Sequence, residues 1–172
     1  MTQELLELRL SIQKGNYTEA LALVDELEEM SKQAILRNIE SFLIRLFIHL
    51  IKNQVEGRLT NSWVASISDS IVRIQKLNLK GNRKSYYINA DEWFSFLEEA
   101  LEAAIAPAST EVMEGRLTPM QLSEQINREQ LLETAQTFLD LTYRYSPKEL
   151  PKTMTNYLIE LPGGKQWSQG KF

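Results

Sequence analysis

Along most of the chain, apolar side chains recur at intervals of three and four. Trp63, Ile67, Ile71 and Ile74 follow one another at steps of four, four and three, which lays them along one face of a helix. Leu122, Ile126, Leu132, Ala135 and Leu139 repeat nearly the same pattern. The most apolar stretch is Ile35 to Val55, where Ile, Leu and Phe cover most of the helical circumference. A helix of that kind is surrounded by others. It leaves one narrow polar stripe, Asn38, Arg45, His49 and Lys52. The last three stack on one side at spacings of four and three.

Breaks in the periodicity are few. In "KGNYTEA", Gly15 ends a helix that begins near Thr2, and Asn16 caps a second one, with Glu19 at capping-box spacing. No Gly or Pro falls between Tyr17 and Glu56, but Ser31 is an N-cap residue type, so the reading divides this stretch there. The string "EGRLT" then occurs twice, at 56–60 and 114–118. Both copies spell the same turn: Gly57 or Gly115 stops a helix, Leu59 or Leu117 packs back, and Thr60 (or Asn61) or Thr118 caps the next helix. Pro119 adds the favoured first helical position. Shared turn chemistry accounts for the repeat better than a duplication does, because the flanking segments disagree. "NYTEAL" is similar to the first helix of a tetratricopeptide repeat, but no second copy follows at the required period. A basic loop, "NLKGNRKSYYINADE", ends at Asn89, which can cap a helix with Glu92 three residues on; Pro107 kinks or ends that helix. The expected fold is all-α. Residues 1–162 form a single helical bundle of about six helices closed by a short C-terminal helix, and 163–172 form a flexible tail.

Composition narrows the chemistry. The chain has 172 residues, 43% of them hydrophobic, which is enough for one core. It has a net charge of −4, one His and no Cys. Thiol chemistry, disulfides and Cys-based zinc sites are therefore excluded. The N-terminus lacks the pattern of a secretory leader, and the most apolar run is interrupted by Arg45 and His49, so a soluble cytoplasmic protein is expected. No phosphate-binding loop, dinucleotide fingerprint, zinc-protease motif or nucleophile elbow is present, and no cofactor is expected.

Three groups of residues merit a functional reading. The basic stripe faces opposite charge in "VDELEEM", which makes Glu26, Glu28, Arg45, His49 and Lys52 a candidate structural polar cluster; an acid–base or metal site around His49 is the rarer alternative. Lys80, Arg83, Lys84 and Tyr86, in the loop 76–87, have the composition of a single-strand nucleic-acid platform, although a charged loop is more often simply solvated. Trp167 and Phe172 are aromatic anchors on a segment with no helical face of its own, suited either to a partner's groove or to the domain's own surface.

"VDELEEMSKQAILRNIESFLIRLFIHLIK" followed by "SWVASISDSI" resembles the core of domain-of-unknown-function family twenty-nine, a helical family common in cyanobacteria. Glu26, Glu28, Met30, His49, Leu50, Lys52, Ser62 and Trp63 carry the resemblance, with Ile51 in place of a second Leu. Pro147 and Pro151 match a Pro-x-x-Cys-Pro element in which Leu150 replaces the Cys. The resemblance covers most of residues 3–162. It implies a helical fold and no mechanism. The expected function is a non-enzymatic module that binds a protein partner or itself. The alternative is a nucleic-acid-associated accessory protein that uses the basic loop.

Overall fold

The computed structural model describes residues 2–171. They form eight α-helices: α1 (Thr2–Gln13), α2 (Tyr17–Glu56), α3 (Asn61–Asn78), α4 (Phe94–Ser109), α5 (Pro119–Gln125), α6 (Arg128–Arg144), α7 (Leu150–Leu158) and α8 (Gly164–Ser168). A 3-10 turn spans Val112–Gly115, and the β-pairing among the described residues is one isolated bridge, Leu79 to Tyr86. The chain is all-α. It divides into two compact units, residues 1–38 and 39–172.

The first unit is a helical hairpin of α1 and the start of α2. Its turn closes through the Asn16 amide, which donates to Ser11 O at 2.9 Å, and the Gly15 amide, which donates to Ile12 O at 3.1 Å. The hairpin has a thin seam and an apolar outer side. Ser11 and Ala20 are buried and Leu8, Leu23, Val24 and Leu27 half-buried, whereas Leu5, Leu6, Leu10, Ile12 and Leu21 are each at least 50% exposed. The break expected at Ser31 is absent, because α2 runs through it. An exposed serine costs a helix interior only a few tenths of a kcal/mol, and neither Gly nor Pro follows to turn the preference into a stop.

The second unit holds the core. Ile39, Leu43, Leu46, Phe47, Leu50 and Ile51 of α2 are all at most 2% exposed. Trp63, Ile67, Ile71 and Ile74 of α3 are buried as their spacing predicts. α3 packs on α6 and α7, α4 on α5 and α6, and α6 on α7. Ala100, Ala104 and Ala108 line the buried face of α4, where small side chains allow close approach.

Local chemistry sets the ends of these helices. Thr60 caps α3 by accepting from the Trp63 amide, and Thr118 forms a complete capping box with Gln121 ahead of Pro119. α4 starts at Phe94, later than an Asn89 cap implies. The Glu92 carboxylate does accept from the Asn89 amide, but that bond closes a turn ahead of the helix. Pro107 lies in the last turn of α4 and does not break it earlier. The apolar periodicity from Leu122 to Leu139 runs over two helices, divided at Ile126–Asn127. The Asn127 side chain caps α6, while Gln54 of α2 accepts from the Asn127 amide at 2.9 Å and donates to its carbonyl at 3.2 Å. With no Gly or Pro there, the break depends on a side chain distant in sequence.

The C-terminal segment expected to be a flexible tail carries α8 and lies against the α2–α3 turn. Asn53 Nδ2 donates both to Arg58 O (3.0 Å) and to Pro162 O (2.8 Å). Gly163 has φ +72°, and a Cβ there would stand 2.7 Å from Arg58 Cα. A Cβ on Gly164 would stand 2.3 Å from Ile159 O and 2.5 Å from Leu158 O. The two adjacent glycines therefore mark a close backbone approach.

Candidate functional site

Arg45, His49 and Lys52 of the polar stripe on α2 lie in the second unit. Arg45 Nη1 donates to Asp69 Oδ2 at 2.9 Å and Nη2 to Ser66 Oγ at 3.3 Å, and Arg73 shares the same carboxylate. Desolvation pushes the Asp69 carboxyl up, but the hydrogen bonds from Arg45 and Arg73 outweigh it and hold the group below its ordinary value. Lys52 Nζ lies 3.7 Å from Glu111 and 4.8 Å from the centre of the Trp63 ring, and the Arg58 guanidinium lies 4.5 Å from that centre. Asp69 and Glu111 thus occupy the role that the sequence reading gave to Glu26 and Glu28, which belong to the first unit. That reading relied on nearness along the chain and on a turn at Ser31.

His49 is half-buried, with Nδ1 2.9 Å from Arg45 O. A carbonyl only accepts, so Nδ1 carries the proton and Nε2 is the bare nitrogen of a neutral ring. Burial lowers the His49 pKa, assisted by Lys52 and Arg45 and opposed by the Arg45 carbonyl and Glu111. Among the described residues no group of three or more His, Cys, Asp or Glu side chains is placed to hold a metal ion.

The two "EGRLT" copies meet in space. Glu56 and Arg58 of the first, and Glu114 and Arg116 of the second, line one hollow of about 470 Å³ that Trp63 also lines. Each copy forms its own ion pair, Arg58–Glu56 at 3.0 Å and Arg116–Glu114 at 3.1 Å. Their preceding turns differ. The first copy ends a regular helix, whereas Met113 (φ 51°) and Glu114 (φ 59°) are left-handed non-glycine residues. Such residues cost roughly 1–2 kcal/mol each. The Glu56 carboxylate accepts from the Met113 amide at 3.3 Å and so pins the strained turn.

The basic loop is more ordered than its composition suggests. The Asn82 side chain accepts from the Lys84 and Ser85 amides at 3.0 and 3.2 Å, closing a tight turn in which Arg83 has φ 57°. Asn78 grips the returning chain by accepting from the Ile88 amide at 2.7 Å and donating to Ile88 O at 2.8 Å. Tyr143 completes the anchor: its hydroxyl donates to Ile88 O (2.6 Å) and accepts from Trp93 Nε1 (2.7 Å) and Asn78 Nδ2 (3.0 Å). Desolvation raises the Tyr143 pKa against those two donors. Tyr86 packs edge-on to Tyr143 with ring centres 4.7 Å apart. Of the expected platform, Lys80, Arg83 and Tyr86 line a groove of about 790 Å³ together with Lys76, Gln75 and Arg144, while Lys84 does not line it.

Sequence reasoning missed Gln75 and Arg144. Gln75 is 8% exposed, and its Nε2 donates to Thr142 O (3.0 Å) and Tyr145 O (2.8 Å), capping the end of α6. Those two acceptors fix the amide orientation. Gln75 Oε1 is then enclosed without a donor, a state that typically costs about 1–3 kcal/mol. The available signal was a Gln at a position one step from Ile74, on the buried side of α3. Of the aromatic tail anchors, Trp167 is half-buried and its Nε1 donates to Asn61 Oδ1 at 2.9 Å. Phe172 lies outside the described residues.

These features define an all-α protein of two helical units in which no described helix is long and apolar enough to cross a membrane. The chain belongs to the family described as "Domain of unknown function DUF29", whose model matches residues 7–136. Pro147 and Pro151 lie beyond the matched span. No curated protein and no solved structure matches the chain.

Proposed function

We propose that the chain is a non-enzymatic interaction module, and that its N-terminal hairpin associates through its leucines with a second copy of the chain. The observation that carries this reading is the apolar outer side of the hairpin, where Leu5, Leu6, Leu10, Ile12 and Leu21 are each at least half exposed. A helix as short as α1 is not stable in water by propensity alone. A hairpin that shows leucines from both helices is self-complementary, and two copies related by a two-fold axis close a four-helix layer.

The magnitudes fit a weak dimer. Completing the burial of five half-exposed Leu or Ile side chains stabilises by about 1 kcal/mol each, or on the order of 10 kcal/mol for two hairpins. Subtracting an association cost of at least about 4 kcal/mol leaves at most about 6, a Kd on the order of tens of micromolar or weaker. The test is light scattering at a series of concentrations on the wild type and on the Leu6→Lys/Leu10→Lys double variant. The wild type is expected to pass from monomer to dimer and the variant to remain monomeric. A wild type that stays monomeric at high concentration, or a variant that dimerises as well as the wild type, overturns the proposal.

A further inference from the structure

The groove beside the basic loop has features that neither the hairpin reading nor the packing of the second unit uses. Four cations line it, Lys76, Lys80, Arg83 and Arg144, and no acidic side chain does. Among the described residues none of the four takes part in an ion pair. Lys76 and Arg144 stand in the last turns of α3 and α6, where a cation offsets the negative end of the helix dipole. That explanation does not extend to Lys80, whose Nζ lies 5.5 Å from the centre of the Tyr87 ring, or to Arg83, both of which sit on the loop between α3 and α4. Asn82 closes the turn that carries the loop cations, and Asn78 and Tyr143 anchor the loop's return at Ile88. Tyr86, fixed edge-on against Tyr143, supplies an aromatic wall. Gln75 is more than nine-tenths buried and holds the end of α6 against the groove through both Nε2 bonds.

We propose that this groove binds a mononucleotide-sized ligand, a phosphomonoester attached to a flat ring. Lys80 and Arg83 hold the phosphate together with Lys76 and Arg144. The ring lies against Tyr86. A volume of about 790 Å³ suits a ligand of this size. A single-stranded polymer needs a track of several nucleotides, and Lys84, the next cation along the loop, does not line the groove.

The test is calorimetric titration of the full chain at low salt with adenosine monophosphate, adenosine, inorganic phosphate and a thymidine oligonucleotide. The monophosphate is expected to bind one-to-one, inorganic phosphate more weakly, and adenosine without measurable heat. The Lys80→Gln/Arg83→Gln variant, altered only at exposed positions, should melt like the wild type and bind the monophosphate about tenfold or more weakly, the loss expected for charge-assisted contacts. No heat with the monophosphate overturns the proposal, as does equal binding of adenosine or unchanged binding by the variant. Tighter binding of the oligonucleotide, with a site covering several nucleotides per chain, replaces it with a polymer site.

Discussion

Gly164→Ala isolates the contact that ties the C-terminal segment to the rest of the second unit. A methyl group there would meet Ile159 O at 2.3 Å, Leu158 O at 2.5 Å and Ile159 C at 2.6 Å, all of them backbone atoms at the end of α7. Flexible side chains could give way, but two carbonyls cannot move without opening the turn between α7 and α8. The cost is therefore that of overpacking into backbone, about 2 kcal/mol, within the 1–3 kcal/mol typical of inserted methylenes. It cannot exceed the free energy with which the segment docks, since beyond that point residues 163–171 simply detach. For a chain of this size each kcal/mol lowers Tm by roughly 2–4 °C, so a drop of roughly 4–8 °C is expected. The assay is a melting curve followed by circular dichroism, with Gly81→Ala as the control, because a Cβ on Gly81 meets nothing within 4 Å. A Gly164→Ala protein that melts within about a degree of the control would show that the α7–α8 turn is not under the constraint its geometry implies.

Other consequences can be measured independently. Deleting residues 163–172 should lower Tm by several degrees, because it removes the Trp167–Asn61 hydrogen bond and the close backbone approach of Gly163 to Arg58; an unchanged Tm would return the tail to the role of a free partner-binding segment. Trp63→Ala should cost roughly 3–5 kcal/mol in chemical denaturation, since the ring is 6% exposed and carries Lys52 and Arg58 over its faces; a loss under about 1 kcal/mol would contradict its place in the core. Burial holds the His49 pKa below 6.5, so the folded protein disfavours the protonated ring; the stability this contributes is present above pH 6.5 and is lost as pH falls through the lowered value. His49→Gln should accordingly flatten the acid side of the stability curve, and an identical pH profile in the variant would refute that assignment.

The sequence carried most of the helical framework, because its turns rest on local chemistry. Gly15, Thr60 and Thr118 act through atoms two to four residues away, so their roles were readable from spacing alone. The apolar face from Trp63 to Ile74 was legible for the same reason. Long-range partners were not legible. The α5–α6 break needs Gln54, the Arg45 carboxylate comes from Asp69, and the Lys52 carboxylate comes from Glu111. Each joins positions that periodicity cannot pair. Ser31 shows the opposite error, a capping residue type with no change of chain direction behind it. The exposed leucines of the hairpin also escaped pattern reading, since which side of α1 is buried depends on what covers it. Gln75 and the paired glycines became visible only once hydrogen-bond partners and backbone distances were known.

The most direct test of the proposed association is hydrogen exchange at the α1 amides of the full chain, followed as a function of protein concentration. If the leucine face is covered by a second copy, Leu5 to Ile12 should be protected in concentrated solution and should exchange far faster on dilution below the micromolar range, while amides in the core of α3 and α6 stay unchanged. Protection of α1 that is the same at every concentration would contradict the account, because it would mean that the hairpin is stable without a second chain.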